Sequence, residues 1–127
     1  MSKAMNVLLV DDSRAVHALV TEMFANSPVS LFHAFNGAEA VEVLSKNERD
    51  YEMILLDWEM PVLSGIEALP ELRRLFGSNP IVMVTSKNAM EDIVRALESG
   101  ATDYIMKPYT KEILFGKLAQ ILGREVA

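Results

Sequence analysis

Three aspartates stand directly behind runs of apolar residues: Asp11 and Asp12 follow NVLLV, and Asp57 follows MILL. Continuous rather than alternating apolar runs of this length are the pattern of strands buried on both faces. Carboxylates delivered by two such strands to one place repel and raise one another's pKa values unless a cation sits among them. Oxygen donors with open positions suit Mg2+, which keeps several waters and often binds a phosphate as well. Two further runs end on the complement, IVMV leading into Thr85 and DYIM into Lys107. A carboxylate nucleophile, a hard cation, a hydroxyl and an ammonium are the parts required for phosphoryl transfer onto aspartate. Asp57, alone behind its strand, is the natural nucleophile.

These residues need elements to carry them. Apolar runs rich in branched residues recur at 6–10, 29–35, 53–56, 81–84 and 103–106. Between them apolar residues fall at helical spacing: Val16, Leu19, Val20 and Met23, then Val41 and Leu44, then Leu69, Leu72 and Leu75. Met90, Ile93, Val94 and Leu97 make a fourth helix, and Leu114, Leu118, Ile121 and Leu122 a fifth. Ser13 and Thr110 are placed to cap the first and fifth helices, Gly37 opens the second, and Gly77 and Gly100 close the third and fourth. Pro70 interrupts EALPELRRL, so the third helix is expected to kink there or to begin there.

A strand–helix unit repeated five times, with short connections, is an α/β fold of the (βα)5 kind. It predicts a doubly wound, parallel, five-stranded sheet with helices on both faces, a three-layer sandwich with right-handed crossovers. Ligands of such sheets bind beyond the carboxyl ends of the strands, where strand order reverses. Asp11, Asp12, Asp57, Thr85 and Lys107 are all expected at that end, sharing one pocket.

The bulk numbers restrict the alternatives. A chain of 127 residues is read as a single domain spanning 1–127. Eighteen acids against twelve scattered bases give a net charge of −6, so a direct nucleic-acid partner is not expected. Cysteine is absent, which removes disulfides and thiolate metal sites. The two histidines, His17 and His33, look too few and too far apart for a zinc site and are read as structural, remote from the acids. Lys3 precedes only a short apolar run that ends on acids, which is neither a signal peptide nor a membrane span. The expected location is the cytoplasm.

VDDS, LLDWEMP, VTS and the KP of YIMKPY, in that order along the chain, resemble the motifs of response-regulator receiver domains, including the stand-alone regulators of chemotaxis. The resemblance implies a flavodoxin-like sheet of order 2-1-3-4-5. It implies that Asp57 accepts the phosphoryl group, that Asp12, Asp57 and the Glu59 backbone carbonyl ligate Mg2+ with help from Asp11, and that Lys107 and Thr85 contact phosphoryl oxygens. Trp58, Glu59, Ser86 and Lys87 would form the pocket rim, with Glu59 and Lys87 able to pair across its mouth. Tyr104 would be the rotamer switch that follows Thr85. The output surface would lie on the fourth helix, fifth strand and fifth helix, with Ile93, Leu97, Tyr104, Met106 and Lys117; Met90 is a further surface candidate.

By the same resemblance the phosphoryl donor is a phosphohistidine on a sensor kinase or a histidine phosphotransfer protein. The receiver catalyses its own phosphorylation and dephosphorylation rather than turning over a substrate. Its target would be a protein such as a flagellar motor component or another effector, and its end at Ala127 suggests a stand-alone receiver. Two other classes stay open. A haloacid-dehalogenase-like hydrolase uses the same residue types, but normally with acids two apart behind the first strand. A degenerate receiver binding partners without phosphorylation would lack the acceptor or the lysine, and both are present.

Overall fold

The computed structural model describes residues 4–126; Lys3 and the two ends of the expected 1–127 domain lie outside the described residues. The elements are β1 (Met5–Val10), α1 (Arg14–Met23), β2 (Val29–Ala34), α2 (Gly37–Lys46), β3 (Met53–Leu56), α3 (Gly65–Phe76), β4 (Ile81–Thr85), α4 (Met90–Glu98), β5 (Asp103–Met106) and α5 (Lys111–Leu122). All strand pairs are parallel and the order is β2-β1-β3-β4-β5. The continuous apolar runs are explained by burial on both faces. Leu8, Val10, Ile54, Leu56, Ile81 and Met83 point into the core under α2, α3 and α4. Met5, Val7, Leu9, Met53, Leu55, Val82 and Val84 point into the core under α1 and α5.

Three helix starts follow from side-chain oxygens that satisfy otherwise orphan amides. Ser13 accepts from the Val16 amide, Asn36 from Glu39 and Thr110 from Ile113. In α3 Ser64 and Glu67 form a reciprocal capping box, which places the start at Gly65. That overturns the expectation of a helix beginning at Pro70: the ring sits on an exposed position inside α3, where the cap upstream and the burial of Ile66, Leu69 and Leu72 outweigh one missing amide. α4 differs from the rest. Its N-cap is Ala89, which has no side chain to accept a bond, and Ala96 is its one buried residue.

Two helix faces depart from the sequence pattern. In α1 the buried positions are His17 and Val20, whereas Leu19 is 53% exposed. In α4 the apolar stripe of Met90, Val94 and Leu97 faces solvent. Helical spacing identifies an apolar stripe but not which side of it meets the sheet, and α4 shows that such a stripe can be left uncovered.

A single close approach ties the second layer to the sheet. Gly65 donates its amide to the Trp58 carbonyl at 2.8 Å, and a methyl at its Cα would stand 1.8 Å from the Asp57 carbonyl oxygen. Backbone cannot yield there as a flexible side chain would. Gly65→Ala is therefore expected to lower stability by about 2–4 kcal/mol. Gly116→Ala, at an exposed interior position of α5 with no atom near the added methyl, should instead raise stability by about 0.5–1 kcal/mol. Denaturant unfolding of both variants checks the pair; equal effects would contradict the close approach.

Candidate functional site

Strand register brings the chemical residues together. Val10 pairs with Ala34 on one side and Leu56 on the other, Leu56 pairs with Met83, and Thr85 pairs with Met106. The residues that follow these pairs are therefore neighbours at the carboxyl edge. The ladder continues one step past the strands: the Asp57 amide donates to the Val10 carbonyl at 2.9 Å, and the Lys107 amide to the Thr85 carbonyl at 2.9 Å.

One oxygen from each of Asp11, Asp12 and Asp57 lies within 4.8 Å of the others. Asp11 is 2% exposed, Asp57 half-buried and Asp12 exposed. Lys107 Nζ stands 2.9 Å from Asp11 Oδ2 and 3.6 Å from Asp57 Oδ2. Asp11 Oδ1 also accepts from the Ser13 amide, and Asp57 Oδ1 from the Trp58 amide. One ammonium does not neutralise three carboxylates. Burial first, then the Asp11 charge, raise the Asp57 carboxyl from the ordinary 3.8 to about 6, against the opposing pull of Lys107. Burial works against the Lys107 ammonium, but its bond to Asp11 and the nearby carboxylate charges outweigh that and hold its pKa above the ordinary lysine value.

An all-oxygen donor set with excess negative charge fits a hard divalent cation such as Mg2+ and does not fit a softer metal that prefers nitrogen or sulfur. Thr85 is 2% exposed, and its hydroxyl oxygen accepts from the Lys87 amide at 3.3 Å, leaving the O–H proton free to point into the pocket.

Around this centre the residues expected at the rim divide. Glu59 and Ser86 are exposed, and Lys87 Nζ lies 3.4 Å from Glu59 Oε1 across the opening. Trp58 is not a rim residue: its side chain is 5% exposed and packs in the core, with Lys87 and Arg95 over the ring at 5.5 and 5.7 Å. Its amide serves Asp57 while its indole fills space under α4. Tyr104 lies partly buried against the same core, and its hydroxyl donates to the Lys87 carbonyl at 2.7 Å. Among the surface candidates Met90, Leu97 and Met106 are exposed, Ile93 is half-buried, and Lys117 pairs with Asp103 at 3.4 Å.

The histidines require a correction. His17 and His33 are neither apart nor remote from the acids: their Nδ1 atoms are 2.7 Å apart, and His17 Nε2 is 2.7 Å from the Asp11 carbonyl oxygen. The parallel pairing of β1 with β2 sets His33 beside the first turns of α1, a proximity across 16 residues that no local pattern reports. Two more participants escaped sequence reasoning. Gly65 shows only as the first residue of a helix downstream of Asp57. Tyr109, two residues beyond Lys107, has its hydroxyl pushed above the ordinary tyrosine value by burial, with Lys107 opposing.

Comparison with known proteins agrees with this arrangement. The family model of the response regulator receiver domain matches residues 7–119. The chain is 33% identical over 122 residues to the chemotaxis protein CheY homolog of Campylobacter jejuni, covering 94% of this chain and 93% of that protein. It is 31% identical over 122 residues to CheY1 of Helicobacter pylori, covering 94% and 98%. The solved structure of chemotaxis protein CheY4 from Vibrio cholerae superposes with a TM-score of 0.85 at 28% identity, over 93% of this chain and 98% of that one. These matches set aside the haloacid-dehalogenase-like hydrolase, whose acids normally stand two apart behind the first strand. The chain belongs to the response-regulator receiver domain family, the CheY-like phosphoryl-accepting switches of two-component signalling.

Proposed function

We propose that this protein is a single receiver domain, 1–127, working in the cytoplasm, and that Asp57 takes a phosphoryl group from a phosphohistidine of a sensor kinase or histidine phosphotransfer protein. The observation that carries the reading is Lys107 poised between Asp11 and Asp57 inside a cluster of three carboxylates. Asp11, Asp12 and Asp57, with the Glu59 backbone carbonyl, would hold Mg2+. When bound, that ion supplies positive charge opposite the transferring phosphoryl oxygens and relieves the carboxylate repulsion.

The chain's own groups divide the remaining work. An Asp57 carboxylate oxygen attacks phosphorus as the phosphorus–nitrogen bond to the donor imidazole breaks, and the departing nitrogen takes up a proton. The Trp58 amide bond to Oδ1 orients the carboxylate so that Oδ2, on the Lys107 side, is the free nucleophile. Lys107 then follows the charge from the carboxylate to the phosphoryl oxygens, and the Thr85 hydroxyl donates to another of them. In dephosphorylation water attacks phosphorus instead, the bond from phosphorus to the Asp57 oxygen breaks, and inorganic phosphate leaves with the carboxylate restored.

The output follows from Thr85 and Tyr104. The Tyr104 hydroxyl holds the Lys87 carbonyl, two residues beyond Thr85, so movement of Thr85 toward a phosphoryl group shifts the loop into α4. α4 suits this role because it is uncapped, shallowly buried and apolar outward. Met90, Leu97 and Met106 form an exposed surface, with Ile93, Tyr104 and Lys117 beside it, for a protein target such as a flagellar motor component or another effector.

Asp57→Asn should abolish acyl-phosphate formation from a small phosphodonor with Mg2+, read by mass spectrometry. The same variant carries a stability signature. Asp57 binds its proton more tightly folded than unfolded, so its stabilising contribution is complete below about 4 and is lost as pH rises through about 6. Metal-free Asp57→Asn should therefore be more stable than wild type at pH 7, by about 1–3 kcal/mol, and the gap should close below pH 4. Labelling of Asp57→Asn equal to wild type would end the assignment.

Glu59 and Lys87 stand on the path by which water reaches the acyl phosphate. If they act as one barrier, Glu59→Ala, Lys87→Ala and the double variant should each speed hydrolysis by a similar factor of about two to five, the range open to a pair worth about 0–1 kcal/mol. Additive rates would show that the two side chains act separately.

A further inference from the structure

His17 and His33 take no part in the site as so far described, yet their bonding has one consistent solution. The Asp11 carbonyl can only accept, so His17 must carry its proton on Nε2 and donate it there. His17 Nδ1 is then a bare lone pair, and the 2.7 Å contact requires His33 to carry its proton on Nδ1 and donate it to His17. The result is a directed chain from His33 on β2, through His17 on α1, to the backbone of Asp11 at the end of β1. Burial first, and then the neighbouring imidazole of His17, hold His33 below the ordinary histidine value.

The surroundings fix this geometry. His17 is 5% exposed and stacks on Phe35 with ring centres 4.3 Å apart, and the Arg14 guanidinium lies 5.3 Å over the same Phe35 ring. The Asp11 amide donates to the Ala34 carbonyl at 3.1 Å, so both main-chain groups of Asp11 are tied toward β2 and α1. With its backbone held on both sides, Asp11 directs Oδ1 to the Ser13 amide and Oδ2 to Lys107.

We infer that His17, oriented by His33, is a positioning residue for the acidic cluster, setting through the Asp11 carbonyl the turn that presents Asp11 and Asp12 to a divalent cation. This rests on the reading of that cluster as a Mg2+ site. Groups one bond removed from a metal ligand commonly govern affinity because they fix the ligand's orientation. Here the control comes through the main chain of an acidic residue rather than its carboxylate, and it links the edge strand β2 to the pocket.

The test is Mg2+ binding by calorimetry at pH 7.5, together with imidazole 15N spectra of the metal-free protein. Wild type should bind Mg2+ and show His17 as the Nε2-protonated tautomer. His17→Leu, which keeps the volume but not the donor, should weaken Mg2+ binding about three- to tenfold. His17→Gln, whose amide nitrogen falls near the Nε2 position, should restore affinity to within about twofold of wild type. His33→Ala alters an exposed residue, so the fold is retained; it should mix the His17 tautomers and weaken Mg2+ about twofold. If wild type binds Mg2+ while His17→Leu and His33→Ala bind it equally well, or if His17→Gln fails to recover what His17→Leu loses, the positioning role is overturned and the Mg2+ site stands. If wild type itself binds no Mg2+, both readings fall.

Discussion

The interaction on which the rest depends is the repulsion among three carboxylates that two strand ends and one lysine hold in place. Asp11 is almost fully buried, Asp57 is partly so, and Lys107 is too far from Asp57 to do more than moderate its charge. The fold tolerates this because the strands beneath are anchored on both faces by large apolar side chains, each worth about 1.5–3 kcal/mol when buried. The stored repulsion is what a bound cation would relieve, and the positive charge it adds would offset the negative charge a phosphoryl group brings. A site that is least comfortable when empty is one whose occupancy has energetic consequences elsewhere.

Those consequences have a physical route. Asp57 and Thr85 lie at the ends of adjacent strands, and Thr85, Lys87 and Tyr104 are joined by hydrogen bonds across the loop into α4. At the other end of α4, Arg73 spends all of its guanidinium nitrogens on the Gly77, Asn79 and Gly100 carbonyls and the Thr102 hydroxyl. The C-terminal end of α4 is thus pinned, whereas at its N-terminal end Ala89 offers no side chain to cap the first amides. A loop movement at Thr85 therefore acts on the free end of a helix whose outward face is apolar.

Much of this was legible in the sequence because the signals were local. An aspartate behind four buried residues, a serine or threonine three positions before an amide it can cap, and a lysine before proline each carry their meaning within a few residues. The α/β alternation set the layers, and the family resemblance supplied the strand order. What was not legible depended on contacts made across the sheet. The start of α3 was obscured by Pro70, although Ser64 and Glu67 held the cap signature. Leu19 and His17 compete for the inward face of α1, and only the packing against β2 and Phe35 decides for the histidine. Trp58 looked like a rim residue because its neighbour Asp57 is in the pocket, but adjacent residues leave the chain in different directions.

The most direct measurement is a 13C-carboxyl NMR titration of Asp57 in the metal-free protein and again with saturating Mg2+. The expected result is an apparent pKa near 6 without metal and a large fall when Mg2+ is present. An ordinary aspartate value near 4 under both conditions would mean that the carboxylates neither crowd one another nor share a cation, and would contradict it.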